Sequence, residues 1–277
     1  MTLGEFVDGA REALGRIYPQ AEAKALAFRL TEHFFAIPSY KYIAEPETEV
    51  DASEASAALD ELCQGRPIQY VLGYAEFCGH KFKVKEGCLI PRPETEELVY
   101  RIFDAVRDGE IGDDGFNILD LCTGSGCIAY SLAAEFPAAT VYGCDISTEA
   151  LAIACRQKVK LQGARPVLFQ ADVLAEPPAG LPQFDIIVSN PPYVCGSEKA
   201  LMRRNVLSYE PSEALFVPDS DPLVFYRAIS RWAARLLKPD GCVYMEVNER
   251  FADEVSALFP GSEVFMDIFG KPRFVVK

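Results

Sequence analysis

The chain has 277 residues, 49% of them apolar and 25% charged, and these globular values exclude wholesale disorder. The length suits a large domain joined to a small one. Acidic residues outnumber basic ones by 41 to 27, a net charge of −14, which argues against a protein that grips a nucleic-acid backbone unaided. The excess is spread along the chain: residues 1–90 carry 14 acids and 9 bases, and residues 91–277 carry 27 and 18.

The nine cysteines are odd in number and show no C-x-x-C spacing, so they read as reduced thiols serving as small hydrophobes. His33 and His80 are the only histidines, too few for a histidine-rich metal site or a Ser-His-Asp triad, and no metal is expected. The N-terminal stretch 1–15 has early acids and no basic segment ahead of an apolar one, unlike a signal peptide. The longest apolar stretch, 118–136, is broken by Asp120, Thr123 and small polar positions and cannot span a bilayer. A soluble, cytoplasmic monomer is expected, with no membrane attachment.

Residues 1–72 read as a helical module. Phe6, Ala10, Ala13, Leu14 and Ile17 recur at helical spacing over 6–17, and Ala23, Leu26, Ala27, Leu30 and Phe34 do so over 21–35. Asp51 with Glu54 marks a third helix start, and Gln64-Gly65 its end. Nothing here carries chemistry by itself, so the module is expected to dock or recognise a partner. Over 73–90 the period drops to two, which predicts a β-hairpin linker with Lys81, Lys83 and Lys85 on one face. From 91 to 277 short β-branched runs at 116–121, 140–144, 167–170 and 184–189 alternate with helical stretches, the pattern of a parallel sheet covered on both faces. A helix over 222–238, a strand over 242–247 and an antiparallel hairpin (262–268 with 274–276) complete the chain.

After the first of those strands comes Asp120-Leu121-Cys122-Thr123-Gly124-Ser125-Gly126, where glycines permit a sharp turn and close approach of a ligand to backbone. Asp145 ends the second strand, placed to accept hydrogen bonds from both hydroxyls of an adenosine ribose. Asp172 ends the third and can accept from an adenine amino group. Gly124-x-Gly126-x-x-Ala129 also fits a dinucleotide fingerprint, so the loop alone leaves a nicotinamide enzyme open.

After the fourth strand stands Asn190-Pro191-Pro192-Tyr193. Two prolines stiffen this loop and remove two backbone N–H groups. The Asn190 amide oxygen and the Pro191 carbonyl then form a two-acceptor clamp for an NH₂ group, and Tyr193 offers a flat face for stacking. Such a clamp orients the lone pair of a planar nitrogen towards an electrophile, and a methylsulfonium needs little beyond in-line positioning.

This loop, with the Asp120–Gly126 turn upstream, resembles S-adenosylmethionine-dependent methyltransferases acting on planar nitrogens. It is most similar to the HemK/PrmC family, which methylates a glutamine of peptide-chain release factors. Four further stretches carry the likeness: Gly65-Arg-Pro-Ile-Gln-Tyr-Val-Leu-Gly73 with Phe77; Leu89-Ile-Pro-Arg-Pro-Glu-Thr-Glu96; Tyr209-Glu210-Pro211 with Ala214-Leu215; and Asp267-x-x-Gly270 with Arg273. It runs from about residue 60 to the end.

The resemblance implies an α/β fold, with a seven-stranded Rossmann-like class I methyltransferase domain (91–277) whose parallel sheet ends in an antiparallel hairpin. A small helical N-terminal domain would recognise the substrate. It also implies S-adenosylmethionine as cofactor, with S-adenosylhomocysteine as product, held by Cys122, Thr123, Gly124, Ser125, Gly126, Asp145, Asp172, Val173 and Asn190. Asn190, Pro191, Pro192 and Tyr193 would hold the glutamine of the Gly-Gly-Gln tripeptide in class 1 release factors, with Asn190, Pro191 and Tyr193 catalytic. An adenine-N6 nucleic-acid methyltransferase is the alternative; stable nucleic-acid binding is not expected. The chain departs from the family's pattern at Cys122, where Gly is usual, at Glu246-Val-Asn248, where Glu-Ile-Gly is usual, and at Val173, where an aromatic residue sometimes stands.

Overall fold

A computed structural model describes residues 1–109 and 115–277. They divide into two compact units: Met1–Gly73 with Arg203–Tyr209, and Tyr74–Met202 with Glu210–Lys277. Arg203–Tyr209 lies inside the stretch that the sequence pattern gives to the methyltransferase domain, but it clusters with the N-terminal helices.

The first unit is built from helices. Leu3–Leu14 buries Leu3, Phe6, Val7, Ala10 and Leu14 on one stripe. It starts three residues earlier than the apolar spacing suggests, because Thr2 and Glu5 form a reciprocal capping box: the Glu5 N–H donates to Thr2 Oγ1 (3.2 Å) and the Thr2 N–H to Glu5 Oε2 (2.9 Å). Gln20–Phe35 buries Ala23, Leu26, Ala27 and Leu30, as its period predicts. The helix Ser53–Cys63 is preceded by Asp51, whose Oδ1 accepts the Ser53 N–H at 3.1 Å. Within this unit Arg203 pairs with Glu22 at 2.8 Å, and the Tyr209 hydroxyl donates to the Gln64 carbonyl.

Among the described residues, the second unit holds all the strands. β1 (Tyr74–Phe77) and β2 (His80–Lys83) form the hairpin. β2 ends at Lys83, so the stripe contains only Lys81 and Lys83; Lys85 lies beyond it and pairs with Glu149. β3 (Asn117–Leu121), β4 (Thr140–Asp145), β5 (Val167–Gln170) and β6 (Phe184–Ser189) are the four predicted parallel strands. β7 (Val194–Cys195) and β8 (Phe216–Val217) make a small parallel pair. β9 (Leu237–Glu246), β10 (Glu263–Met266) and β11 (Pro272–Val276) complete a seven-stranded sheet of order β10-β11-β9-β6-β3-β4-β5. Its β10–β11 hairpin is antiparallel, as expected, and β11 also runs antiparallel to β9.

β9 begins at Leu237, five residues before the predicted strand, and the preceding helix, Val224–Leu236, is correspondingly shorter than predicted. Leu237 pairs with Phe184 and Cys242 with Ile186, so the Lys238–Gly241 segment bulges out, which is how the strand accommodates Pro239.

In the inner strands both faces of the sheet are buried, while the edge strands β5 and β10 have no fully buried residue. Ile118, Ile186 and Val188 pack on one side with the helices Pro93–Arg107 and Cys127–Glu135. Leu119, Leu121 and Ile187 pack on the other with Val224–Leu236 and Ala252–Ala257. Trp232 is wholly buried in that second layer with Val173, and its Nε1–H donates to the Ala175 carbonyl at 2.9 Å. This contact fixes the segment after β5, at the carboxyl edge where open α/β sheets bind ligands. Among the described residues no helix is long and apolar enough to cross a membrane.

Trp232→Ala is expected to cost about 3–5 kcal/mol in denaturant unfolding through the cavity it opens, and Trp232→Phe about 1–3 kcal/mol through the carbonyl left unpaired. Equal stability of all three proteins would contradict this packing.

Candidate active site

The turn after β3 is held by three backbone devices. Cys122, Gly124 and Gly126 all have positive φ (61°, 55° and 80°). Gly126 is doubly constrained, since a Cβ there would lie 3.0 Å from the Tyr130 ring and 3.2 Å from Ala154 Cβ. At Gly124 a Cβ would meet nothing within 4 Å, so that face is open. Cys122 is the non-glycine of the three, in a left-handed conformation that costs an L-residue roughly 1–2 kcal/mol. Burial pushes its thiol well above the ordinary range.

Asp145 ends β4 as predicted and locks the turn. Its Oδ2 accepts the Gly124 N–H at 2.8 Å and its Oδ1 the Ser147 N–H at 2.9 Å. Each oxygen keeps a lone pair for a further donor. Burial raises its pKa, and the amides of Ser147 and Gly124 oppose the shift. Asp172 lies two residues past the end of β5 rather than at it, and its Oδ1 caps the turn by accepting the Leu174 N–H at 2.8 Å.

One cavity brings these residues together. Cys122, Thr123, Gly124, Ser125, Asp145, Asp172, Val173, Asn190 and Pro192 line it; Gly126, Pro191 and Tyr193 do not. Gly126 instead caps the helix Cys127–Glu135. Tyr193 packs against the second core layer. Residues that motif reasoning missed also line the cavity: Ile146, Leu174 and Phe225 as apolar walls, with Arg92, Thr95 and Glu213 as polar ones. Ile146 and Leu174 are large apolar side chains left exposed there, a signal visible only once the fold is known.

Asn190 follows β6, and the Ser189 hydroxyl anchors that strand end to the Leu121 carbonyl at 2.7 Å. The Asn190 Nδ2–H donates to Thr95 Oγ1 (2.9 Å), and the Thr95 hydroxyl donates to Glu246 Oε2 (2.6 Å). Glu246 Oε1 accepts the Tyr193 hydroxyl at 2.8 Å. Glu246 is 1% exposed; burial raises its pKa, while Thr95, Tyr193 and Arg273 lower it. Burial, with Glu246 alongside, holds the Tyr193 hydroxyl well above its ordinary range. Nearby, Glu210 accepts the Ile90 N–H (3.1 Å) and pairs with Arg92 (2.6 Å), fixing the chain that leads into Thr95.

Beneath the turn, Asp120 is fully buried. Its Oδ2 accepts from the Thr123 hydroxyl and the Ala129 N–H, while its Oδ1 meets no partner among the described residues. Burial pushes its pKa up to about 7, opposed by Thr123 and Ala129.

A seven-stranded sheet with an acid- and glycine-lined cavity at its carboxyl edge defines a methyltransferase-class α/β enzyme, and the family model described as Methyltransferase small domain matches residues 110–210. The chain is 41% identical over 273 residues to the release factor glutamine methyltransferase of Bacteroides thetaiotaomicron, with 96% of each chain covered. It is 37% identical to the protein of that name from Flavobacterium psychrophilum (95% and 94% covered) and 36% identical to that of Streptococcus pneumoniae (100% and 98% covered). The chain belongs to the release factor glutamine methyltransferase family.

The Asp120 carboxyl binds a proton more tightly folded than unfolded. Its contribution to stability is therefore complete below about pH 4 and is lost as pH rises through about 7. Between pH 5 and 8 the thermal midpoint should fall more steeply in the parent than in Asp120→Asn, which has no such proton to lose. Parallel pH profiles would contradict the burial of an ionisable carboxyl here.

Proposed function

We propose that this chain transfers the methyl group of S-adenosylmethionine to the side-chain amide nitrogen of the glutamine in the Gly-Gly-Gln motif of class 1 peptide-chain release factors. The observation that carries this reading is the orientation of Asn190. With its Nδ2 committed to Thr95, its Oδ1 is the atom left to accept from a substrate NH₂, at a cavity shared with the Gly124 turn. The names of the relatives supply the identity of the acceptor.

The cavity fits the cofactor on two counts: Asp145 retains a lone pair on each oxygen for ribose hydroxyls, and Ile146, Val173, Leu174 and Phe225 supply apolar walls for a flat base. When bound, S-adenosylmethionine supplies an electrophilic methyl group on a sulfonium. Cys122, Thr123, Gly124, Ser125 and Asp145 would hold one side of it, with Asp172 and Val173 on the other. Asn190 Oδ1, on the cavity wall, would accept an amide hydrogen and so help to align the nitrogen lone pair with the line of attack; the Pro191 carbonyl, expected as a second acceptor, is not on that wall. Acceptance by Asn190 strengthens as positive charge develops on nitrogen, so it favours the transition state over the bound amide. Pro192 shapes the loop, and Tyr193 steadies it through Glu246 instead of stacking from the cavity wall. Nitrogen acidity rises as the methyl arrives, so no strong base is called for.

We further propose that the helical segment 1–72 recognises the release factor, with 73–90 linking it to the methyltransferase domain 91–277. Those helices supply no reactive group, and an intact protein substrate offers them more to bind than one glutamine does.

Asp145→Ala is expected to weaken calorimetric binding of S-adenosylmethionine and S-adenosylhomocysteine about tenfold or more, since a hydrogen bond to a charged group is worth roughly 1.5–3 kcal/mol. Tight binding of a nicotinamide dinucleotide would overturn the cofactor assignment. Asn190→Ala should leave cofactor affinity nearly unchanged while single-turnover methyl transfer to a release factor falls on the order of 10²–10³-fold. Transfer at the parent rate would overturn the clamp.

A further inference from the structure

We infer that Glu246 is a positioning residue for methyl transfer: through Thr95 it sets which way round the Asn190 amide stands, and through Tyr193 it fixes the loop carrying that amide. The inference rests on the reading of Asn190 as acceptor for the glutamine amide.

An asparagine side chain is nearly symmetric in shape, and its two ends differ only in whether they donate or accept. Shape alone would let Asn190 turn over, presenting NH₂ to the substrate NH₂ and losing the clamp. Thr95 removes that freedom only if its single hydroxyl proton is already committed elsewhere. Glu246 commits it. Its Oε2 takes the Thr95 proton at 2.6 Å, so the Thr95 oxygen can only accept, and the Asn190 end that faces it at 2.9 Å must be the donor.

The same carboxylate accepts the Tyr193 hydroxyl on Oε1 at 2.8 Å. An ionised carboxylate has no proton of its own and accepts on both oxygens, so it satisfies both hydroxyls at once. A protonated carboxyl or an amide must donate on one side. Glu246 is thus chemically specified by the two hydroxyls that face it.

Burial and Glu94, from the helix Pro93–Arg107, oppose such a charge, while Arg273, from β11, favours it along with the two hydroxyl donors; the Tyr226 hydroxyl lies near enough to feel it. Arg273 is itself held by Asp267 at 3.3 Å and donates to the Val247 carbonyl, next to Glu246. The charged and titratable neighbours of Glu246 are therefore Tyr193, Tyr226, Arg273 and Glu94, of which Arg273 alone is cationic. Glu246 also reaches no cavity surface, unlike Thr95 and Asn190, so its effect on transfer must pass through them.

Three variants test this in the full chain. Glu246→Gln and Thr95→Val are each expected to lower the single-turnover rate by about 10²-fold through misplacement of the clamp, with calorimetric affinity for S-adenosylmethionine within about twofold of the parent. Thr95→Ser should recover most of the Thr95→Val loss, because it restores the hydroxyl without the methyl. In the parent the rate should fall as pH drops and Glu246 takes up a proton, and this limb should be weaker in Thr95→Val, where the carboxylate reaches the Asn190 loop only through Tyr193. A readout free of any substrate separates this from the choice of acceptor. In protein labelled with [¹⁵N]asparagine, the Asn190 side-chain NH₂ resonances, assigned through Asn190→Ala, should shift along the Glu246 titration and stop doing so in Thr95→Val. A parent that responds this way but leaves release factor unmethylated would keep the relay and discard the substrate. Asn190 resonances that ignore pH, or a Glu246→Gln protein turning over at the parent rate, would overturn the relay.

Discussion

One buried carboxylate ties together the parts of this molecule that must stay in register. Glu246, at the end of β9, bonds a helix residue 151 positions away and a loop residue 53 positions away. Burying an unpaired carboxylate costs several kcal/mol, so the arrangement is stable only while Thr95 and Tyr193 both donate to it. The requirement acts in both directions. The loop between β6 and β7 cannot drift without stranding a charge. Asn248 reinforces the same loop: its Nδ2 donates to the Tyr193 carbonyl at 3.1 Å and to Glu198 at 3.0 Å.

The cradle on the other side of the cavity uses the opposite logic. It is set by backbone rather than by side-chain pairing, with positive φ at three of five consecutive positions and one carboxylate, Asp145, taking two amide protons. Side-chain chemistry there is sparse and largely apolar. Cys122 and Cys144 line the cavity as small hydrophobes whose thiols burial keeps protonated. A site of this kind positions reactants and excludes water, which suits a transfer whose electrophile arrives already activated.

Much of this was legible in the sequence, for identifiable reasons. The four parallel strands stood out because their residues are mostly apolar or β-branched, which the inner pair β3 and β6 owes to burial on both faces. The turn and the Asn190 loop stood out because glycine and proline leave few backbone conformations open. Boundaries fared less well where side chains override periodicity. The capping box at Thr2 starts the first helix before its apolar stripe suggests, and the bulge at Pro239 lets β9 begin early. Thr95 and Glu246 lie in stretches compared with the family, but neither stood out as a site residue, because the partner of each lies far along the chain. The grouping of Arg203–Tyr209 with the N-terminal helices is likewise a long-range fact, made by Glu22 and Gln64.

Asn190 Oδ1, on the cavity wall, is the acceptor offered to a planar amide nitrogen. The most direct measurement is to incubate the parent enzyme with isotopically labelled S-adenosylmethionine and a mixture of class 1 release factor and adenine-containing DNA, then to locate the label by mass spectrometry. The account predicts label on the side-chain nitrogen of the Gly-Gly-Gln glutamine and none on DNA. Label on adenine, or on any other residue of the release factor, would contradict it.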